Sequence, residues 1–377
     1  MKKTNTLIIG ASMSGLASAA SLRNKNIDYI IIEKENQAVT PWRKHYDRLH
    51  LHTSKRFSHL PFKKFGKKIP RYPNRQQVIE YLEEYQKAFN INPFFNTKAI
   101  SVRKEGESWV TKTSGDVFES KYLIMATGAY GNPRPIHFSG LETFAGRILH
   151  SYEYKSGKEF QGQHVLVVGF GNSACEIAID LYEEGSFPSM SVRSPVNVIP
   201  RDILGIPVQE ISIFMRQLPP RVTDIISRPL INLYIGDLSR LGLKKMSYGA
   251  LEEISRDGNA PVLDIGTIQL IRKGHIKVFD DIDRIEGNTI YFKDGRKGNF
   301  NAIVAGIGYY RDYAEIVEVD KSRFEDLLVN TGKQKYFGKD GLYFCGYWVS
   351  TTGQIREIAM DAKRIAEDIS NKESQGH

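Results

Sequence analysis

Two glycine-rich turns, each following an apolar strand and preceding a helix, constrain the fold of this 377-residue chain more than any other feature. The first turn spans Gly10–Gly15 and the second spans Gly169–Ala174. Glycine lets the backbone approach a pyrophosphate, and the helix that follows offers free N–H groups and the positive end of its dipole. The sequence therefore predicts an α/β fold with two Rossmann-like dinucleotide-binding domains, the second inserted in the first.

The first turn departs from the usual G-x-G-x-x-G pattern, because Ser12 stands between Gly10 and Gly15 where a second glycine is expected. The Cβ and hydroxyl of Ser12 are expected either to crowd a pyrophosphate or to donate a hydrogen bond to it. Glu33 ends the next predicted strand, close to the spacing at which an acid binds ribose hydroxyls. The unit is predicted to hold its nucleotide; a degenerate unit that no longer does so is the alternative.

The second turn keeps both glycines, but the strand after it ends in Arg193 rather than an acid. A guanidinium attracts a 2′-phosphate, whereas a carboxylate repels it. The pair of turns therefore predicts FAD in the first domain and NADPH in the second, and an exposed surface arginine is the alternative for Arg193. The predicted NADPH contacts are Gly169, Gly171, Asn172, Ser173, Arg193 and Ser194.

The chain is expected to divide into residues 1–156 and 299–377 for the FAD domain and 157–298 for the NADPH domain. Residues 203–245 are apolar with helical periodicity and interrupt the second unit. A substrate lid, a pair of helices on a membrane surface and plain packing are three alternatives for this insertion. The apolar strand 122–125 leads into Ala-Thr-Gly, so Thr127 and Gly128 are expected close to the first nucleotide.

Composition excludes several classes of protein. The net charge is +9, but the densest basic stretch, residues 55–75, is interrupted by prolines and glycine, which argues against nucleic-acid binding. A solvated face is favoured for this stretch, and a role in binding a cofactor phosphate or a membrane surface is the alternative. The only cysteines are Cys175 and Cys345, and they do not form a Cys-x-x-Cys pattern, so a redox-active pair of cysteines beside a flavin is not expected. With no long apolar segment and no metal motif, the chain is expected to be a cytoplasmic enzyme without a metal.

Residues Phe144, Gly146, His150 and Tyr154 form the pattern F-x-G-x-x-x-H-x-x-x-Y between the two turns. This pattern resembles the signature of the flavin-containing monooxygenases. Within them the chain is most similar to the YUCCA family of plant indole-3-pyruvate monooxygenases. The matches that carry this similarity include residues 46–52, 76–82, 150–157, 165–173, 188–194 and 261–266.

The resemblance implies an FAD- and NADPH-dependent monooxygenase that acts through a C4a-(hydro)peroxyflavin. It implies oxidative decarboxylation of an indolic or aryl 2-oxo acid, of the type that converts indole-3-pyruvate to indole-3-acetate. N- or S-oxygenation of soft nucleophiles is the second hypothesis, and a redox sensor that has lost oxygen transfer is the third. The partners expected are a small-molecule substrate and O2, with no nucleic acid; peripheral membrane contact and a homodimer stay open.

The resemblance also assigns individual residues. His52 aligns with a flavin-side position, where it either contacts the oxygenated flavin or substrate as a catalytic group or is a satisfied structural histidine. His150 is expected to hold the domain boundary rather than to catalyse. Trp42, Gly346 and Gln354 are the further residues predicted near FAD. One departure is Ile307, which takes the place of a threonine in the family's second Ala-Thr-Gly-Tyr.

Overall fold

The computed structural model describes residues 1–128, 131–310, 316–317, 339–347 and 349–375. Contacts between Cα atoms divide the chain into two units. Unit 1 contains residues 1–43, 54–132 and 309–377, and unit 2 contains residues 44–53 and 133–308. The second unit is thus wider than the expected 157–298. The strands Arg147–His150 and Ala302–Ala305 pair within its sheet, and residues 44–53 also belong to it.

Unit 1 is built on a six-stranded sheet. Its strands are β1 (Lys2–Ile9), β2 (Tyr29–Ile32), β3 (Ala99–Glu105), β4 (Ser108–Thr113), β5 (Val117–Met125) and β20 (Leu342–Phe344). The order is β2-β1-β5-β4-β3, with β20 also paired to β5. Strands β1, β2, β5 and β20 run parallel, whereas β3 and β4 are antiparallel neighbours. Strands β2 and β20 and the last residues of β1 (7–9) and β5 (122–125) are apolar runs, as expected where both faces of a sheet are covered.

Helices cover this sheet. They are α1 (Met13–Asn24), α2 (Thr40–Lys44), α3 (Arg75–Ala88) and α9 (Gln354–Gln375). Helix α3 begins at Arg75 because Asn74 and Gln77 form a capping box, in which each side chain accepts a hydrogen bond from the other's backbone N–H. Helix α1 packs against α9, so the last helix of the chain lies beside the first.

Unit 2 is built on a five-stranded parallel sheet in the order β14-β9-β8-β18-β7. These strands are β7 (Arg147–His150), β8 (His164–Val168), β9 (Phe187–Ser191), β14 (Lys277–Phe279) and β18 (Ala302–Ala305). The antiparallel strands β15 (Ile282–Glu286), β16 (Thr289–Phe292) and β17 (Lys297–Asn299) form a separate small sheet. Strand β10 (Val198–Pro200) pairs with β13 (Val262–Asp264), and β11 (Asp202–Ile203) pairs with β12 (Ile206–Pro207).

The helices of unit 2 are α4 (Asn172–Glu183), α5 (Val208–Met215), α6 (Pro220–Ile235), α7 (Ala250–Asp257) and α8 (Thr267–Arg272). Helices α5 and α6 lie in the segment 203–245, so its predicted helical character is confirmed. The two-residue strands β6 (Asn132–Pro133) and β19 (Tyr309–Tyr310) stand at the sequence boundaries of the units.

Candidate functional site

The carboxyl ends of four parallel strands meet at one edge of the sheet in unit 1. Ile9 is in register with Ile32 and with Met125, and Met125 is in register with Phe344. The residues that follow these ends therefore gather at this edge. They include the predicted site residues Gly10, Glu33, Thr127, Gly128 and Gly346. Ligands of open parallel sheets bind at this edge, outside the carboxyl ends of the strands.

The turn at Gly10 is packed tightly against the end of β5. A Cβ on Gly10 would lie 2.5 Å from the carbonyl oxygen of Ala126, and its φ of +106° is one that residues with a side chain rarely adopt. Gly346 approaches the same helix from the other side, because a Cβ there would lie 2.3 Å from Ser14 Oγ. Gln354 Nε2 donates to Gly346 O at 2.7 Å, which places the two residues side by side.

The first turn of α1 has the properties of an anion site. Ser12 is the N-cap residue, yet its hydroxyl makes no capping hydrogen bond, and no acidic residue stands in the first turn of the helix. The helix N-terminus therefore keeps its partial positive charge, with a free hydroxyl next to it. These features fit a pyrophosphate, and they favour Ser12 as a hydrogen-bond donor to the ligand rather than an obstacle.

Glu33 is buried at the end of β2, where its carboxylate already has backbone partners. One oxygen accepts a hydrogen bond from Ala11 N at 2.7 Å, and the other accepts from Glu35 N at 3.1 Å. Each oxygen has a further lone pair, so the carboxylate can bind ribose hydroxyls and shape the turn together. The sequence missed this second role.

Trp42 lies on α2, close to the same turn. The residue before α2, Val39, donates its N–H to Ala11 O at 3.1 Å and adopts a φ of +65°. A β-branched residue in this region is strained, and such strain clusters at ligand sites. Trp42 itself is half-buried. The hydrogen bond between Val39 and Ala11 thus brings the start of α2 to the first turn, and the contact of Trp42 with FAD stays a prediction.

The second turn, in unit 2, is likewise open at the end of its parallel sheet. Val168 is in register with Ser191 and Ala305, so Gly169 and Arg193 follow adjacent strand ends. Helix α4 has no acid in its first turn, and no atom lies within 4 Å of where a Cβ on Gly171 would stand. Space and positive potential for a second pyrophosphate are therefore present.

Arg193 is exposed and, among the residues that the structure describes, forms no hydrogen bond or ion pair. Ser194, next to it, is also exposed, and Ser173 is half-buried in the first turn of α4. Asn172 differs from the expectation: its Oδ1 accepts from Leu263 N at 2.8 Å and its Nδ2 donates to Pro261 O at 3.1 Å. Its side chain anchors β13, so only its backbone faces a ligand at the helix start.

His52 belongs to unit 2 and is held by a buried carboxylate. His52 Nε2 lies 3.1 Å from Oε2 of Glu176, whose side chain has no solvent exposure. The same carboxylate accepts from Tyr46 Oη at 2.8 Å and from His50 N at 3.3 Å, and Arg48 Nη1 lies 3.7 Å away. Sequence reasoning missed Glu176, although an acid within the apolar run of α4 is a signal for such a site.

The arrangement fixes how His52 presents its ring. Because Nε2 faces the carboxylate, Nδ1 is the ring nitrogen that remains for a ligand, and among the described residues it has no hydrogen-bond partner. A buried acid that orients an imidazole in this way is common where a histidine exchanges protons or binds a substrate. The side chain of His52 is 14% exposed, so a small molecule can reach it.

The signature residues between the two turns have structural partners within unit 2. Tyr154 Oη donates to Asp180 Oδ2 at 2.6 Å, and burial raises the pKa of Tyr154. His150 Nε2 lies 3.1 Å from Gly308 O, and burial lowers the pKa of His150. Both side chains thus stabilise unit 2, and the role of His150 at the domain boundary stays a prediction.

The sequence of this chain is similar to those of known oxidoreductases. The sequence model of a family described as pyridine nucleotide-disulphide oxidoreductases matches residues 7–200. The indole-3-pyruvate monooxygenase YUCCA6 of Arabidopsis thaliana is 37% identical over 378 residues, covering 97% of this chain and 90% of the relative. The indole-3-pyruvate monooxygenase YUCCA1 of Oryza sativa subsp. japonica is 34% identical over 374 residues, covering 96% and 90%.

Solved structures share the fold at low identity. A flavin-containing monooxygenase from Stenotrophomonas maltophilia superposes with a TM-score of 0.71 at 18% identity, covering 99% of both chains. Cyclohexanone monooxygenase from Rhodococcus sp. Phi1, bound to NADP⁺, gives 0.73 at 16% identity, covering 99% of this chain and 85% of that one. A bacillithiol disulfide reductase from Staphylococcus aureus gives 0.68 at 18%. Cys175 and Cys345 are both buried free thiols.

Proposed function

This chain belongs to the flavin-containing monooxygenases, together with the YUCCA-type enzymes, and we propose that it oxidatively decarboxylates an indolic or aryl 2-oxo acid. FAD and NADPH are its cofactors. We place FAD at the turn of unit 1 and NADPH at the turn of unit 2, each in a Rossmann-like domain. The observation that carries this assignment is the contrast between the two equivalent strand ends: a buried carboxylate at Glu33 and an exposed guanidinium at Arg193.

In unit 1 the pyrophosphate of FAD would lie at the N-terminus of α1, where the hydroxyl of Ser12 donates to it. Glu33 would accept the ribose hydroxyls while it keeps its bond to Ala11 N. In unit 2 the 2′-phosphate of NADPH would pair with Arg193, and the backbone at Gly171 would leave room for the pyrophosphate. FAD, once reduced by NADPH, supplies the activation of O2; the protein's part is binding, orientation and the exclusion of water.

The overall reaction consumes one 2-oxo acid, O2, NADPH and a proton. It breaks the bond between the carboxyl and the carbonyl carbon, and it yields CO2, water, NADP⁺ and an acid shorter by one carbon. One oxygen atom of O2 enters the new carboxyl group and the other enters water. We assign His52 to contact with the substrate through Nδ1, with Glu176 holding the ring.

Two arginines close to His52 in sequence already have carboxylate partners. Arg48 in unit 2 is paired with Glu183 at 2.8 Å and lies near Glu176, and Arg43 in unit 1 is paired with Glu83. The proposed substrate class therefore rests on the names of the relatives.

Product analysis tests the proposed function directly. The FAD-loaded protein is supplied with NADPH, isotopically labelled O2 and indole-3-pyruvate, and the products are measured by mass spectrometry. Indole-3-acetate with one labelled oxygen, formed with equal CO2, is the expected result. Oxygenation of a tertiary amine or a thioether, with indole-3-pyruvate untouched, would instead establish the N- or S-oxygenase alternative.

Cofactor choice is tested by Arg193→Ala. A charge-assisted hydrogen bond to phosphate contributes about 1.5–3 kcal/mol, so the KM for NADPH is expected to rise about tenfold or more while NADH use changes little. Arg240→Ala, which removes another exposed arginine of unit 2, is the matched control. Equal losses of activity with NADPH and with NADH would show that Arg193 does not bind the 2′-phosphate.

A further inference from the structure

Helix α6 has an apolar stripe that faces away from the protein. Its inner face packs on α7 and β10 through buried positions such as Thr223 and Ile235. On the other face, five exposed apolar residues are spaced so that they form one stripe along the helix. They are Val222, Ile225, Ile226, Pro229 and Leu233. A helix that is apolar on two opposite sides needs a second partner.

The stripe is part of a larger patch. Ile225 is 68% exposed, Leu233 is 78% exposed, and Phe214 at the end of α5 is 75% exposed. More than half of the exposed large apolar side chains of the described residues lie between 204 and 234. Single exposed apolar residues are ordinary, but a stripe along one helix face, with further exposed apolar residues in the same segment of the chain, marks an interaction surface.

Cations border the patch. Arg216 and Arg228 are exposed, and within the described part of the chain neither has an ion-pair or hydrogen-bond partner. The acid on the same helix is already used: Asp224 accepts the N–H groups of Leu251 and Glu252 at 3.1 and 2.9 Å. Asp224 is thus directed at the N-terminus of α7, and the outward-facing charges of Arg216 and Arg228 attract anions.

The charges around the patch favour a lipid surface over a second copy of the protein as its partner. In a two-fold dimer each patch would meet its own copy, so the exposed arginines of one copy would face those of the other. An anionic lipid surface, in contrast, provides phosphates for the arginines and an apolar layer for the stripe. No described helix is long and apolar enough to cross a membrane, so the contact is with the surface.

We propose that the α5–α6 face docks this protein onto anionic membranes, with the stripe inserted among the lipids and the arginines on the headgroups. We define the α5–α6 face as Phe214, Leu218, Val222, Ile225, Ile226 and Leu233 with Arg216 and Arg228. This assigns the insertion 203–245 to membrane contact rather than to a substrate lid. The inference is independent of the substrate and of the chemistry at His52.

Sedimentation with vesicles tests the proposal on the full-length, FAD-loaded protein. Vesicles of phosphatidylcholine alone are compared with an equimolar mixture of phosphatidylcholine and phosphatidylserine. Wild type is expected to sediment with the mixed vesicles and much less with the neutral ones. Ile225→Ser with Leu233→Ser should weaken this binding on the order of a hundredfold, since two exposed apolar side chains no longer enter the lipid.

The charged border is tested separately. Arg216→Gln with Arg228→Gln should weaken binding to mixed vesicles about 25-fold, because each basic residue near an anionic surface contributes about a fivefold gain. Ile100→Ser and Lys64→Gln with Lys67→Gln are matched controls, since these exposed residues lie in unit 1. Binding of the control variants should stay within about twofold of wild type at the same ionic strength.

Three outcomes would overturn the proposal. The first is wild-type protein that sediments with neither kind of vesicle. The second is a concentration-dependent dimer that Ile225→Ser with Leu233→Ser dissociates, which would make a second copy the occupant. The third is unchanged vesicle binding by that variant together with a raised KM for the organic substrate, which would make the segment a substrate lid. Thermal unfolding of each variant confirms that the surface changes leave the fold intact.

Discussion

Replacement of Glu176 by glutamine should loosen unit 2 while it leaves unit 1 unchanged. The Glu176 side chain has no solvent exposure and receives three hydrogen bonds, from Tyr46 Oη, His52 Nε2 and His50 N. Tyr46 and His52 share one carboxylate oxygen, and His50 uses the other. A glutamine amide has a single acceptor oxygen, so its NH2 group must face one of these two sets of donors.

The size of the effect follows from these contacts. A hydrogen bond to a buried charge contributes about 1.5–3 kcal/mol, and Arg48 also loses the charge that lies 3.7 Å from it. A loss of about 3 kcal/mol in the free energy of opening unit 2 is expected. Each 1.4 kcal/mol changes an equilibrium constant tenfold, so opening should become on the order of 100-fold more frequent.

The two cysteines provide an assay that separates the units. Cys175 precedes Glu176 on α4, Cys345 lies in unit 1, and both are buried thiols whose pKa burial raises, so neither reacts until its surroundings open. Thiol labelling under native conditions, resolved by peptide mass spectrometry, therefore measures the opening of each unit. In Glu176→Gln, labelling of Cys175 should accelerate on the order of 100-fold while Cys345 keeps its rate.

Glu183→Gln is the matched control on the same helix. Its side chain is 52% exposed and pairs with Arg48, and exposed ion pairs contribute at most about 1 kcal/mol, so Cys175 should accelerate less than about fivefold. If the two variants behaved alike, or if Cys345 accelerated as much as Cys175 in Glu176→Gln, the buried carboxylate would not be the anchor of this cluster.

Three further predictions concern the signature between the two turns. Tyr154→Phe removes the hydrogen bond to Asp180, so Cys175 labelling should accelerate about 30-fold, which corresponds to about 2 kcal/mol; an unchanged rate would contradict the bond. Gly146→Ala should lower the thermal midpoint, since its Cβ would lie 2.2 Å from Asn301 O, whereas Gly115→Ala, which has no atom within 4 Å, should not. Burial lowers the pKa of His150 below its ordinary 6.5, so as the pH falls the unfolded chain binds a proton at His150 before the folded chain does, and the free energy of unfolding should fall below pH 6.5. His150→Gln should reduce this loss of stability, and an identical pH profile for the variant and the wild type would show that His150 is not its source.

The elements around the two turns were predictable from sequence because their signals are local. A run of apolar residues, a glycine turn and a capping residue such as Asn74 each specify the backbone within a few positions. The unit boundary was not predictable in this way. Strand β18 looks the same in sequence whichever sheet it joins, and only its pairing with β7 and β8 assigns it to unit 2.

The candidate site likewise contains residues that local sequence motifs predict and residues that they do not. Residues defined by position in a motif, such as Gly10 and Arg193, lie where the sequence predicted them. Asn172 and Glu176 could not be assigned from motif position, because their roles depend on partners far along the chain, Leu263 and His52. Glu176 and Asp180 stand four residues apart in the apolar stretch of α4, and that spacing was a signal that both acids serve buried donors.

The two strand ends show why equivalent positions need not respond alike to substitution. The carboxylate of Glu33 accepts a hydrogen bond from Ala11 N, so it shapes the turn at Gly10 even before a nucleotide binds. Arg193 has no such bond to the described residues of its own unit. Loss of the acid should therefore disturb both the fold of unit 1 and its ligand, whereas loss of the arginine should affect the ligand alone. If Arg193 binds the 2′-phosphate as we propose, its replacement breaks no hydrogen bond to the described residues, whereas a change at Glu33 must also supply a new acceptor for Ala11 N.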